Sequence, residues 1–233
     1  MMITHSSPDR TQISLGPCAF PLNCYLVLDE EGYTLIDTGF RLFSGALVKA
    51  IRNQGIPLRQ IVITHGHFDH TGGIEVIQTA FPEAKLFVGE REHLLMTGDR
   101  RTLPGESGGR IIGSFYKLES KPRRLLAAGD RVGSLDVLNA AVQTPGQIAL
   151  HDGRDVILLA GDAFHTVGGL TPVTQFSHHF PWPYLANWSS ATAHATVRWL
   201  FSLEISRIAP SQGPVVEVSK AIAENHFLSE SQR

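Results

Sequence analysis

Apolar positions along this chain recur with two different periods, and the change from one to the other marks out its elements. "NCYLVLD" (23–29) and "YTLIDTG" (33–39) are dense in apolar and β-branched residues and flank the tight turn "EEG", which predicts two adjacent strands. Phe43, Ala46, Leu47, Ala50 and Ile51 then recur at helical spacing and Gly55 closes the run, so a helix is expected there. "QIVITH" (60–65) reads as a short buried strand. A second helix is predicted from near Gly72 to Phe81, where Pro82 stops it. "KLFVG" (85–89) is a further strand.

Residues 98 to 124 break the rhythm. "GDRRTLPGESGGR" is rich in Gly, Pro and charge, and the segment is locally basic through Arg100, Arg101, Arg110, Lys117, Lys121, Arg123 and Arg124. A solvated connector or lid is expected here rather than an anion-binding site. Beyond it, "RVGSLDVLN" (131–139), "QIAL" (147–150) and "DVILLAG" (155–161) read as strands. A helix is predicted around 189–203, with Ala193, Val197, Leu200 and Phe201 on one face. "SRIAP" (206–210) is a last strand and 216–228 a last helix. Strands followed by helices, twice, imply two packed sheets with helices outside, in one domain over 1–233 built from two similar halves.

Composition narrows the class. The chain has 233 residues, 42% hydrophobic and 18% charged, enough for a sizeable core, and its net charge of −2 gives no field to draw in nucleic acid or an anionic membrane. The two cysteines, Cys18 and Cys24, cannot form a disulfide scaffold and are expected as small buried hydrophobes, which fits a cytoplasmic protein. "MMITHSSPDR" lacks the apolar core of a signal peptide, and no apolar run is long enough to span a bilayer.

The chemistry concentrates in "THGHFDHTGG" (64–73), where His65, His67, Asp69 and His70 crowd the junction between a strand and a helix. A catalytic metal needs nitrogen or carboxylate donors that converge on one point. At a strand end His65 and His67 point to the same side, Gly66 lets the backbone bend, and Asp69 and His70 can reach back to a neighbouring point. The arrangement favours two adjacent metal positions. The spacing of two histidines four apart on a helix, typical of zincins, is absent.

"THGHFDHTGG" resembles the signature of the metallo-β-lactamase fold superfamily. "LIDTG" (35–39) resembles its early strand, "AGDAF" (160–164) its later aspartate motif, and "TPGQIAL" (144–150) and "APSQGPV" (209–215) the segments that carry its remaining ligands. The resemblance covers nearly the whole chain. It implies an α/β fold, a four-layer αββα sandwich of two mixed β-sheets flanked by helices. It also implies hydrolysis by a metal-bound hydroxide, with one or two zinc ions as the default and iron or manganese as alternatives. On these terms His65 and His67 hold one metal, Asp69 and His70 the other, Asp162 bridges them, and Asp37 supports the site from behind its ligands. Asp69 orients the nucleophile or helps move its proton. Read from the residues alone, Asp37 and Asp162 are also a turn former and a helix cap.

The chain departs from the family pattern twice. Gln143 and Gln212 stand where the family supplies one further histidine per metal, and the glycine that precedes each is gone. A neutral amide oxygen is a poorer zinc donor than imidazole, so a weakened site or a single metal is expected. Three outcomes stay open: coordination through the amide oxygens, water in both places, or replacement by His165, His178 or His179. "FPWPY" (180–184) presents Phe180, Trp182 and Tyr184 as one wall of a substrate pocket, or alternatively as a core-packed loop or homodimer contact. Trp188 and Trp199 are expected in the core. The expectation is a metal-dependent hydrolase of a small-molecule ester, lactone, thioester or related substrate. The rival is a non-catalytic relative that keeps the fold and binds a ligand or partner.

Overall fold

The computed structural model describes residues 2–17, 20–106 and 110–218. Its first sheet holds seven strands side by side in chain order: β1 (Met2–Ser7), β2 (Arg10–Leu15), β3 (Leu22–Asp29), β4 (Gly32–Ile36), β5 (Leu58–Ile63), β6 (Lys85–Gly89) and β7 (Arg124–Leu126). The strands pair antiparallel up to β4 and parallel beyond it. Parallel neighbours need crossovers, and these carry the helices α1 (Ser44–Arg52), α2 (Phe68–Thr71), α3 (Ile74–Ala80) and α4 (Glu90–Met96).

The second sheet contains β8 (Arg131–Val132), β9 (Leu135–Asn139), β10 (Ile148–Asp152), β11 (Ile157–Gly161), β14 (Arg207–Pro210) and β15 (Val216–Glu217), in the spatial order β15-β14-β11-β10-β9-β8. A ribbon of β12 (Phe164–His165) and β13 (Thr171–Pro172), then α5 (Trp182–Leu185) and α6 (Ser190–Ser202), fills the excursion between β11 and β14.

Strand alternation builds the layers. In β5, Ile61 and Ile63 face α1 and α3, where they meet Leu47, Ile51, Ile74 and Ile77. Val62 faces the other sheet, beside Ile157 and Leu159 of β11. Leu158 and Ala160 of β11 point away from that interface, onto Ala193, Val197, Leu200 and Phe201 of α6. The result is the expected αββα sandwich, with its middle core between the sheets.

Several details differ from the sequence reading. The helix expected from Gly72 to Phe81 is α3, and a separate short helix, α2, precedes it; the chain turns between them at Gly72 and Gly73, where a Cβ at Gly73 would stand 2.5 Å from the Thr38 carbonyl oxygen. Segment 131–139 is a hairpin, β8 and β9. The polar N-terminal stretch forms β1 and part of β2. Trp188 is buried, but Trp199 is 41% exposed on the outer side of α6. Cys24 is a buried free thiol; Cys18 lies outside the described residues. Of the helix expected over 216–228, residues 216 and 217 form β15 and the remainder from 219 lies outside the described residues. No helix among the described residues is long and apolar enough to cross a membrane.

Candidate metal centre

The site forms where β4, β5 and β11 end together. Asp37 follows β4 in a left-handed conformation, φ 58°, which aspartate tolerates better than most residues. Its carboxylate organises what lies beside it. One oxygen accepts the Thr64 backbone N–H at 2.8 Å; the other accepts the Thr64 hydroxyl at 2.8 Å and His70 Nδ1–H at 2.8 Å.

These bonds fix the histidine tautomers. With its proton committed to Asp37, the Thr64 hydroxyl can only accept from His65 Nδ1–H, 3.2 Å away. His67 Nε2–H donates to the Ile112 carbonyl at 3.1 Å. The remaining ring nitrogens therefore carry lone pairs. His65 Nε2 and His67 Nδ1 face each other at 3.1 Å, and Gln143 Oε1 stands 3.0 Å from His67 Nδ1. Three acceptors at such distances repel unless a cation lies among them. Beside them, His70 Nε2 sits 3.2 Å from an Asp162 oxygen and 3.6 Å from an Asp69 oxygen, yet makes no hydrogen bond. Donor atoms of His65, His70 and Asp162 all lie within 4.8 Å of one another, and all three residues are buried.

The electrostatics point the same way. Burial pushes His65 well below the usual imidazole range, and His70 beside it adds to the effect. Burial acts likewise on His70, but Asp162, Asp69 and Asp37 surround it and hold it well above that range. Asp162 stays well below the usual carboxylate range against its burial, held by His70 and His65 and by the Gln212 amide. Burial raises Asp69. The surroundings favour positive charge in this cluster, and the donor set suits a divalent cation. His65, His67 and Gln143 would hold one ion; His70, Asp69 and Asp162 would hold a neighbouring one.

The two glutamines do more than fill space. Gln143 Nε2 donates to one Asp162 oxygen at 2.8 Å and Gln212 Nε2 to the other at 2.9 Å. The oxygen of Gln212 is buried without a partner. His165, His178 and His179 stay outside the cluster: His165 packs against Phe180, His178 against Phe176, and His179 lies beside Gly168.

The segment expected as a connector or lid packs over the centre through its residues 112 to 115. Phe68 N–H donates to the Ser114 carbonyl at 2.9 Å, and Phe115 packs on the His67 ring. Gly113 approaches so closely that a Cβ there would lie 2.2 Å from His67 Nε2. Under this loop the pocket above the metal donors, about 140 Å³, is bounded by Phe20, Phe68, Phe180 and Trp182. Tyr184 is not part of its lining: its ring turns aside onto Phe176.

Glu92 was not singled out in the sequence. Fully buried in α4, it accepts the Gly66 N–H at 2.6 Å and the Gly146 N–H at 3.0 Å, tying the histidine loop to the Gln143 loop. Burial pushes its carboxyl up to about 7 against those bonds. The available signal was its helical spacing with Leu95 and Met96, which sets an acid on an apolar face.

Residues 19–202 match the family model of the metallo-beta-lactamase superfamily. YobT of Bacillus subtilis, whose function is uncharacterised, is 34% identical over 203 residues, 87% of each chain. YflN of the same organism, named a probable metallo-hydrolase, is 31% identical over 157 residues, 60% of this chain and 58% of its own. The metallo-beta-lactamase from Pontibacter korlensis superposes with a TM-score of 0.72 at 19% identity, covering all of this chain and 99% of its own, a likeness of fold. The chain belongs to the metallo-beta-lactamase superfamily.

Proposed function

We propose that this metallo-hydrolase acts on the acyl bond of a small-molecule ester, lactone or thioester, with zinc in the cluster around His65, His70 and Asp162. The observation that carries the reading is the convergence of His65 Nε2, His67 Nδ1 and Gln143 Oε1 at 3.0 to 3.1 Å, beside the buried donors of His70 and Asp162. A bound metal supplies Lewis acidity and lowers the pKa of water towards neutrality. The protein's own groups do the rest. Asp69 lines the pocket floor beside Asp162, placed to orient the attacking water and hand its proton on. Asp37 keeps His70 in one tautomer and orientation. Gln143 and Gln212 hold both oxygens of Asp162, and the loop through Gly113 and the aromatic wall limit access of bulk water.

One observation favours a second reading, a ligand-binding relative without turnover: the Gln143 and Gln212 amides donate to both oxygens of Asp162. Zinc reconstitution followed by elemental analysis separates the readings. The hydrolase reading expects bound zinc, hydrolysis of p-nitrophenyl butyrate that chelation abolishes, and loss of both in Asp162→Ala. Protein that takes up no metal ends that reading. So does protein that gains activity only when Gln143→His and Gln212→His are introduced together, because the present chain would then be the inactive relative.

A further inference from the structure

The pocket mouth carries information that the metal donors do not. The wall rings Phe180, Phe20 and Phe68 are joined in one run, Phe180 to Phe20 at 5.4 Å and Phe20 to Phe68 through Phe40 behind them, at 6.2 Å and 4.9 Å between centroids. Phe180 is buried at the base of this run. Phe68 and Trp182 stand 46% and 56% exposed at the rim. Large apolar side chains left in water beside a polar floor mark a surface that something apolar covers. The carboxylates and amides of the lining, Asp69, Asp162, Gln143 and Gln212, gather with His67 at the metal donors, and Ser114 adds one residue of the covering loop.

Charge narrows the occupant. Among the described residues lining the pocket there is no lysine or arginine. Arg100, the cation nearest in sequence to this loop that contacts an aromatic of the site, lays its guanidinium over Phe115, 4.7 Å from the ring centroid. An anionic group on the substrate's acyl arm would lose its water against phenyl rings and gain no counter-charge. Size narrows it further. A cavity of roughly 150 Å³ accepts a benzene ring, and this pocket is about 140 Å³.

We infer that the substrate is an uncharged-arm ester, lactone or thioester whose acyl part is a single aromatic ring or an aliphatic chain of comparable bulk, seated on the Phe20–Phe68–Phe180–Trp182 wall with its carbonyl over Asp69 and Asp162. The inference rests on the hydrolase reading for the reaction and on the wall for the specificity. In that reaction the oxygen of water bonds to the acyl carbon. The acyl C–O or C–S bond breaks, its electron pair leaves with the oxygen or sulfur, and that atom takes up the proton released by water. An acid and an alcohol or thiol result, still tethered if the substrate is a lactone.

The test compares p-nitrophenyl esters on the zinc-reconstituted full chain. Acetate, hexanoate and phenylacetate differ only in the arm, and the adipate hemiester places a carboxylate at the end of a hexanoate-length arm. Half-burying four additional methylenes is worth about tenfold, so kcat/KM should rise about tenfold from acetate to hexanoate or phenylacetate. The hemiester should forfeit that gain, and Trp182→Ala should narrow the ratio of hexanoate to acetate. Equal rates across the arms, or preference for the hemiester, overturns the inference. A binding arm keeps the two readings apart: saturation-transfer NMR with 2-octanone and benzyl methyl ketone needs no turnover. Ketone binding that weakens in Trp182→Ala, with no ester hydrolysed, upholds the apolar subsite and rejects the hydrolase. Absence of ketone binding rejects the subsite whatever the esterase result.

Discussion

At the scale of single residues, the centre depends on which nitrogen of each ring keeps its proton. Asp37 sets this for His70 directly, and for His65 through Thr64. Asparagine at this position would have to turn an NH2 group either toward the Thr64 backbone N–H or toward the Thr64 hydroxyl and His70 Nδ1–H, so at least one bond becomes a clash of donors. Partners of this kind are worth about 10–100-fold in metal affinity. Asp37→Asn should therefore weaken zinc binding by about that factor, measured by competition with a chromophoric chelator, and an unchanged affinity would reduce Asp37 to a turn residue. The donors themselves were legible, because a strand end followed by a helix start forces His65, His67, Asp69 and His70 into one neighbourhood. The partners were not. Nothing near Gln143 in the sequence reveals that its amide divides between His67 and Asp162, or that the Ile112 carbonyl accepts from His67 Nε2–H, because those contacts span 19 to 76 positions of chain.

At the scale of elements, strong periodicity transferred well and short pieces did not. The predicted face of α6, Ala193, Val197, Leu200 and Phe201, is the face that α6 buries. Strands of two residues, such as β8, β12 and β13, leave no period to read. The buried face of helix α4 mixes Glu92 with Leu95 and Met96, which blurs its apolar period, yet the helix braces the site. Its carboxylate bonds both the loop after β5 and the loop before β10. Glutamine offers a single acceptor oxygen for two N–H donors and would direct an NH2 at one of them. Glu92→Gln should slacken both loops and lower zinc affinity about tenfold, with reduced intensity and a shifted maximum in the visible spectrum of the cobalt-substituted protein. A lower melting temperature with the cobalt spectrum and zinc affinity intact would make Glu92 a fold residue only.

At the scale of the whole molecule, the metal centre exists because two sheets from different halves of the chain end at the same edge, and their packing must hold it there. The apolar middle layer does most of this, and polar ties cross it too, among them the Tyr25 hydroxyl donating to the Pro210 carbonyl at 2.6 Å and a buried ion pair. Arg10 of β2, in the first sheet, is 4% exposed and donates to Asp152, fully buried at the end of β10 in the second. Arg154 donates to both oxygens of the same carboxylate. Burial opposes the charge on Asp152, but the Arg154 bonds and the Arg10 charge outweigh it and leave the carboxyl below its usual value of 3.8. The folded state thus prefers the ionised form more than the unfolded chain does. Its contribution is complete above the unfolded value and is lost as pH falls through the lower folded one. Asp152→Asn removes the charge and leaves Arg10 with Asp155 alone, at a cost of about 3 kcal/mol at neutral pH. Urea melts of the two proteins at pH 7, 5 and 3 read this directly. The deficit of the variant should hold between the first two and shrink at the third, which lies below the unfolded carboxyl's usual 3.8. A deficit of the same size at all three would assign Asp152 a role in shape rather than charge, and the tie between the sheets would then be steric.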